Sequence, residues 1–161
     1  MWHGEPMSYE QLVELYKKTY TPKAWFPELI KECKKVGIAW FASVFEDVDV
    51  WFLERLNCPR YKISAYEMLD GDLINAVVET GKPIIMSVRP TERVTILGAT
   101  DYDGSVTPFG LSDHSSDGLP AFGRWLPMVE RHIMLTDVPN EDQEFSSTPE
   151  QFAEYVRAIR D

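Results

Sequence analysis

The sequence predicts an α/β fold with a largely parallel sheet. Three observations carry that expectation. Short apolar runs recur along the chain, and amphipathic segments of helical period separate the first of them. The apolar runs IAWFASVF, RYKISAY and KPIIMSV lack polar alternation and are too short for buried helices, which is how strands covered on both faces read. The connections between them are long enough for crossover helices, which parallel neighbours require.

In order, residues 8–20 read as a short helix. A second begins at Thr21-Pro22, with proline at its first position. It presents Trp25, Phe26, Leu29, Ile30 and Cys33 at helical spacing and stops at Gly37. IAWFASVF is then a strand, Asp47 to Leu56 a helix, and RYKISAY a strand. Residues 71–79 form a helix ended by Gly81, and KPIIMSV is the next strand. The rhythm breaks at RVTILGAT and TPFGLSDH, both strand-like with only DYDGSV between them. Either they pair as a hairpin or a loop has replaced a helix. A helical turn near 120–128 leads to the last predicted strand, VERHIMLT. Thr148 and Gln151 then form a capping box opening a helix to Arg160. The aromatics Trp25, Trp40, Phe41, Phe45, Trp51 and Phe52 are expected in the core.

Composition bounds the function. The 161 residues are 44% apolar, enough for one domain with a core. The net charge of −10 argues against nucleic acid. No apolar run reaches the roughly 20 residues a membrane span needs. The opening MWHGEPMSYEQ has no basic and apolar leader pattern, so no signal peptide is expected. Cys33 and Cys58 lie outside any CxxC pattern and read as reduced thiols of a cytoplasmic protein.

Few residues stand out for chemistry. His114 and His132 each lie in or at the end of a predicted strand, with Asp113 and Glu130 beside them. Nitrogen and carboxylate donors there suit Mn²⁺, Fe²⁺ or Zn²⁺. The plainer alternative is two hydrogen-bonded structural histidines. Lys62 sits inside a strand and must find an anion or reach water: Glu67 is one candidate partner, a bound phosphate or carboxylate the other. Ser43, Ser87 and Ser112 fall near three strand ends, as hydroxyls for a phosphate or as turn formers. Asp142, Phe145 and Ser146 read as a polar loop before the last helix, NEDQE as a solvated acidic run.

Taken together, these motifs resemble the N-acetylneuraminate (sialic acid) synthase family. The likeness rests on "YEQLVELYKKTYTPKAWFPELIKECKKVGIAWFASVF", "RYKISAYEMLDGDLINAVVETGKPIIMS", "FGLSDHSS", "ERHIML" and "PNEDQEFSSTPEQFAEYVRAIR", five stretches in family order. The resemblance implies a (β/α)₈ barrel that condenses phosphoenolpyruvate with an N-acetylated sugar aldehyde. It implies that His114 and His132 bind a divalent metal, Mn²⁺ or Mg²⁺ with Zn²⁺ as a further candidate. Lys62, Ser43, Ser87 and Ser112 match positions around phosphoenolpyruvate. Glu67, Glu130 and Asp142 match acidic active-site positions, and Asp101 and Tyr102 approximately match a polar pair at the amino-sugar substrate. A full barrel takes about 250 residues, or about 200 at the lower end. The expectation is therefore one domain over 1–161: an incomplete or compacted barrel of about six mostly parallel strands. It lacks the first two strand–helix units and the family's antifreeze-like domain. Ala65 and Arg89 stand where the family has serine and glycine. A homo-oligomer is expected to cover the open edge. The rival expectation is a catalytically reduced barrel kept as a binding or assembly module.

Overall fold

The computed structural model describes residues 8–88, 94–100, 106–116, 126–135, 138 and 140–160. They divide into two compact units, Met1–Trp40 and Phe41–Asp161.

In the first unit, helix α1 (Tyr9–Thr19) is opened by Ser8 and Gln11, which cap each other's backbone N–H. A 3₁₀ turn at Lys23–Trp25 precedes α2 (Phe26–Val36). Pro22 therefore caps the turn, and Pro27 takes the early helical place expected of Pro22. Gly37 ends α2 with φ of 74°, and a Cβ there would touch nothing. Its value lies in the left-handed backbone, not in the space.

The second unit is built on a seven-stranded sheet of mixed direction whose spatial order follows chain order. Its strands are β1 (Ala42–Ser43), β2 (Tyr61–Ile63), β3 (Ile84–Val88), β4 (Val94–Thr100), β5 (Val106–Asp113), β6 (Met128–Ile133) and β7 (Ser146–Ser147). Helices α3 (Asp47–Glu54), α4 (Gly71–Glu79) and α5 (Pro149–Arg160) complete it. Asp70 caps α4 through the Leu73 N–H, and the Thr148–Gln151 box opens α5 as expected.

All neighbours are parallel except those of β4, which runs antiparallel to both β3 and β5. Of the two readings of RVTILGAT and TPFGLSDH, the hairpin holds. The stretches 89–93 and 101–105 are too short for crossover connections, so β4 has to turn back. The seventh strand, β7, lies where the sequence reads as a polar loop. Within IAWFASVF the strand is confined to Ala42–Ser43, and Val44 N–H adds one bond to Lys62 O at 3.1 Å.

The core differs from expectation. Val44, Val50, Leu53, Tyr61, Ile63, Leu73, Val77 and Leu97 are buried, whereas Trp25, Phe45 and Trp51 are 60%, 50% and 61% exposed. Phe41 is exposed as well, while Trp40 and Phe52 are half-buried. On α3 the buried positions are Val50 and Leu53, three apart, which turns Trp51 away from them. Among the described residues no helix is long and apolar enough to cross a membrane. Cys33 and Cys58 are free thiols.

Candidate functional site

Strand register decides which residues meet. Side chains alternate faces along a strand, and directly paired residues share a face. Ser43 pairs with Lys62, and Lys62 with Ile85, two before Ser87. Ser87 pairs with Leu97, and Leu97 with Gly110, two before Ser112. Ser112 pairs with Glu130, and His132, two further on, pairs with Ser146. Ser43, Lys62, Ser87, Ser112, Glu130 and His132 therefore lie on one face of the sheet. His114 follows Ser112 just past the end of β5. Tyr61, Ile63, Met86, Asp113 and Arg131 take the other face.

Two clusters occupy the first face. In one, Lys62 Nζ lies 2.5 and 2.7 Å from the two carboxylate oxygens of Glu130, and Ser112 Oγ donates to Glu130 Oε1 at 2.6 Å. Burial pushes the Glu130 carboxyl up. The Lys62 charge and the bonds from Lys62 and Ser112 outweigh this, holding it below the ordinary carboxylate value. The partner of Lys62 is thus Glu130, not Glu67. Glu67 sits in a 3₁₀ turn and accepts from the Ser64 hydroxyl.

In the second cluster the rings of His114 and His132 are 5.2 Å apart between centroids. His132 Nδ1 faces Asp142 Oδ2 at 3.1 Å. His114 Nε2 approaches Ser112 Oγ at 3.5 Å, linking the clusters. Burial, and then the neighbouring His132, pull the His114 pKa below that of a free imidazole. Phe145 stands against both imidazoles. Asp142 Oδ1 is buried and accepts no hydrogen bond among the described residues.

Of the remaining candidates, Ser43 is exposed at the edge strand and Ser87 is buried in β3. Asp101, Tyr102, Arg89 and Trp125 lie outside the described residues, as does most of the turn expected at 120–128. The Asp113 side chain takes the face opposite to Ser112 and Glu130. It is 0% exposed on the opposite face and accepts from Ser115 N–H (2.8 Å), Ser115 Oγ (2.6 Å) and Tyr155 OH (2.9 Å). Arg131 Nη1 lies 3.5 Å from it and also donates to Ser115 O at 2.6 Å, while Nε donates to Ser147 Oγ at 2.9 Å. Sequence reading missed this network. The available signal was alternation: if Ser112 and Glu130 share a face, Asp113 and Arg131 share the other.

Residues 2–102 match the model of the NeuB family. The chain belongs to the NeuB family. It is 32% identical to pseudaminic acid synthase of Helicobacter pylori, over 94% of this chain and 56% of that protein. It is 25% identical to an uncharacterized protein of Methanocaldococcus jannaschii, over 91% and 55%. It is 23% identical to N-acetylneuraminate-9-phosphate synthase of Homo sapiens, over 84% and 48%. This NeuB-family chain therefore spans about half the length of the curated relatives it matches. It is also shortened internally. Ninety-four per cent of 161 residues is about 151, yet the first alignment runs over 189 positions, so roughly 38 have no counterpart here, about one strand–helix unit. The other two alignments show the same shortfall.

A divalent metal is implied by the resemblance, and the histidine pair fits one. Two adjacent imidazoles, one facing a carboxylate through Nδ1, offer nitrogen donors of the kind such ions accept. Among the described residues no group of three or more His, Cys, Asp or Glu is arranged to hold a metal. A two-histidine site leaves its other positions to water or substrate oxygens.

Proposed function

We propose that this chain is a sialic acid synthase-type protein that binds phosphoenolpyruvate, an N-acetylated sugar aldehyde and a divalent metal on the His132 face of its sheet. A carbon–carbon bond would form between phosphoenolpyruvate C3 and the aldehyde carbon, water would add at C2, and cleavage of the C2–O bond would release phosphate. The observation that carries the reading is the register: it brings His132, Glu130, Ser112, Ser87, Lys62 and Ser43 to one face in a NeuB-family chain.

His114 and His132 would hold Mn²⁺, Mg²⁺ or Zn²⁺. The bound ion would supply Lewis-acid polarisation of the aldehyde oxygen. Lys62 and the hydroxyls of Ser43, Ser87 and Ser112 would bind phosphoenolpyruvate, with Asp101 and Tyr102 toward the sugar. Lys62 is neutralised by Glu130, so an anionic substrate has to share Lys62 with that carboxylate or draw it away. Glu130, kept ionised by Lys62 and Ser112, is placed to accept a proton. Asp142 orients His132, and Glu67 is a further acid–base candidate. The protein is expected to work in the cytoplasm as a homo-oligomer.

A second reading, a reduced barrel serving binding or assembly, is favoured by the shortfall of roughly 38 positions. Loss of one positioned acid or base costs about 10²–10⁴ in rate. The expected result is therefore measurable Mn²⁺ binding with slow phosphate release from phosphoenolpyruvate and N-acetylmannosamine. Calorimetry of the parent and His132→Ala tests the site: equal Mn²⁺ affinity removes it. Brisk phosphate release, abolished by His114→Ala, would overturn the reduced-barrel reading.

A further inference from the structure

The segment between β6 and α5 delivers two side chains to the histidine pair. Asp142 takes one imidazole nitrogen, and Phe145 takes both rings. The Phe145 centroid is 5.2 Å from that of His114 at an interplanar angle of 80°, and 5.0 Å from that of His132 at 84°. With the imidazoles themselves 5.2 Å apart, the three rings make a nearly equilateral triangle. Edge-to-face packing at such separations is a favoured aromatic arrangement.

The backbone that carries the ring is well anchored. Phe145 N–H donates to Asp142 O at 3.2 Å, and Ser146 Oγ donates to the same carbonyl at 2.8 Å. The next residue, Ser146, pairs with His132 in the β6–β7 ladder. The Phe145 backbone is thereby tied to the strand that carries one of the histidines.

A phenyl ring neither ligates nor donates a hydrogen bond. It can set the planes of the rings it touches, and it can keep water from one side of them. Ring plane matters because the lone pair of a neutral imidazole nitrogen lies in that plane. Two histidines serve one ion only if both lone pairs point at the same place. Asp142 fixes the tautomer of His132, but a hydrogen bond to one ring says nothing of the other.

We propose that Phe145 is a positioning residue for a divalent cation: its ring braces both imidazoles so that their lone pairs converge, and it closes one flank of the pair to water. This rests on the two-histidine reading above. Outer partners of metal ligands contribute about 10–100-fold to metal affinity.

The test is a calorimetric titration of Mn²⁺ into the full chain and into Phe145→Tyr, Phe145→Leu and Phe145→Ala, with NMR of the imidazole protons of each. Phe145→Leu keeps most of the volume and loses the aromatic ring. The expected result is affinity about 10–100-fold weaker in the leucine and alanine variants and near-parental in the tyrosine variant. The ring-proton signals of His114 and His132 should shift together in Phe145→Leu while the amide spectrum stays folded. If the parent binds Mn²⁺ and Phe145→Leu and Phe145→Ala bind it equally well, the brace is wrong and the cation reading survives. If the parent binds no Mn²⁺, the two-histidine reading itself falls, and the brace with it.

Discussion

Gly110 shows how much one side chain can decide. A Cβ on it would meet the Met128 backbone oxygen at 2.7 Å and Met128 Cβ at 3.0 Å. A backbone oxygen inside a ladder cannot yield as a flexible side chain can. Gly110→Ala is expected to push β5 from β6 and cost about 1–3 kcal/mol, read as a lower urea midpoint. Tyrosines 61 and 155 set a second limit. Burial, then the bond to Glu54, pushes the Tyr61 hydroxyl pKa up; burial, then the bond to Asp113, does the same for Tyr155. Both folded values lie above the unfolded value of about 10. Their contribution is therefore complete below pH about 10 and is lost as pH rises beyond it, by about 1.4 kcal/mol per pH unit for each tyrosine. Denaturant melts from pH 8 to 11.5 check this: a flat midpoint across that range would refute it.

At the level of elements, β4 and the Asp113 network are the informative parts. Neighbouring strands of a (β/α)₈ barrel run parallel, joined by helices. Here β3 and β5 run the same way, but antiparallel β4 lies between them. Roughly 38 positions of the relatives lack a counterpart, about the length of a strand with its helix. Reversed β4, pairing with both β3 and β5, keeps Ser87 and Ser112 on one face. On the opposite face, Arg131 (side chain 4% exposed) and Asp113 tie β5 and β6 to β7 and α5 through Ser147 and Tyr155. Tyr155→Phe removes one donor to a buried carboxylate and is expected to cost about 1–3 kcal/mol. Arg131→Met leaves Asp113 charged and without its cation, and is expected to cost about 3–5 kcal/mol. Chemical denaturation of both variants measures the difference. A smaller loss for Arg131→Met than for Tyr155→Phe would show that the ion pair is not what holds β5 to β6.

Among the described residues, the second unit carries an open sheet. Among the described residues β1 pairs only with β2, and β7 only with β6, so each offers an unpaired backbone edge. Exposed Phe41 and Phe45 flank β1. Such edges invite a second chain, so light scattering at micromolar concentration is expected to give a mass above the 18.5 kDa of one chain. A clean monomer would refute self-association.

Much of this architecture could be read from the chain, because the signals were local. The Thr148–Gln151 box, Gly37 and Gly81 as helix stops, and the apolar runs of β2 and β3 each act within a few residues. The order of motifs also pointed to the NeuB family. What the sequence by itself determined is the kind and order of helices α1 to α5 and strands β1 to β6. Only the tertiary structure decided that Lys62 pairs with Glu130 instead of Glu67, that Asp113 turns away from the histidines, that Trp51 faces out, and that β4 runs backwards. The physical reason is that these outcomes depend on register and packing between segments tens of residues apart. A shift of one residue in register would have sent every one of those side chains to the other face.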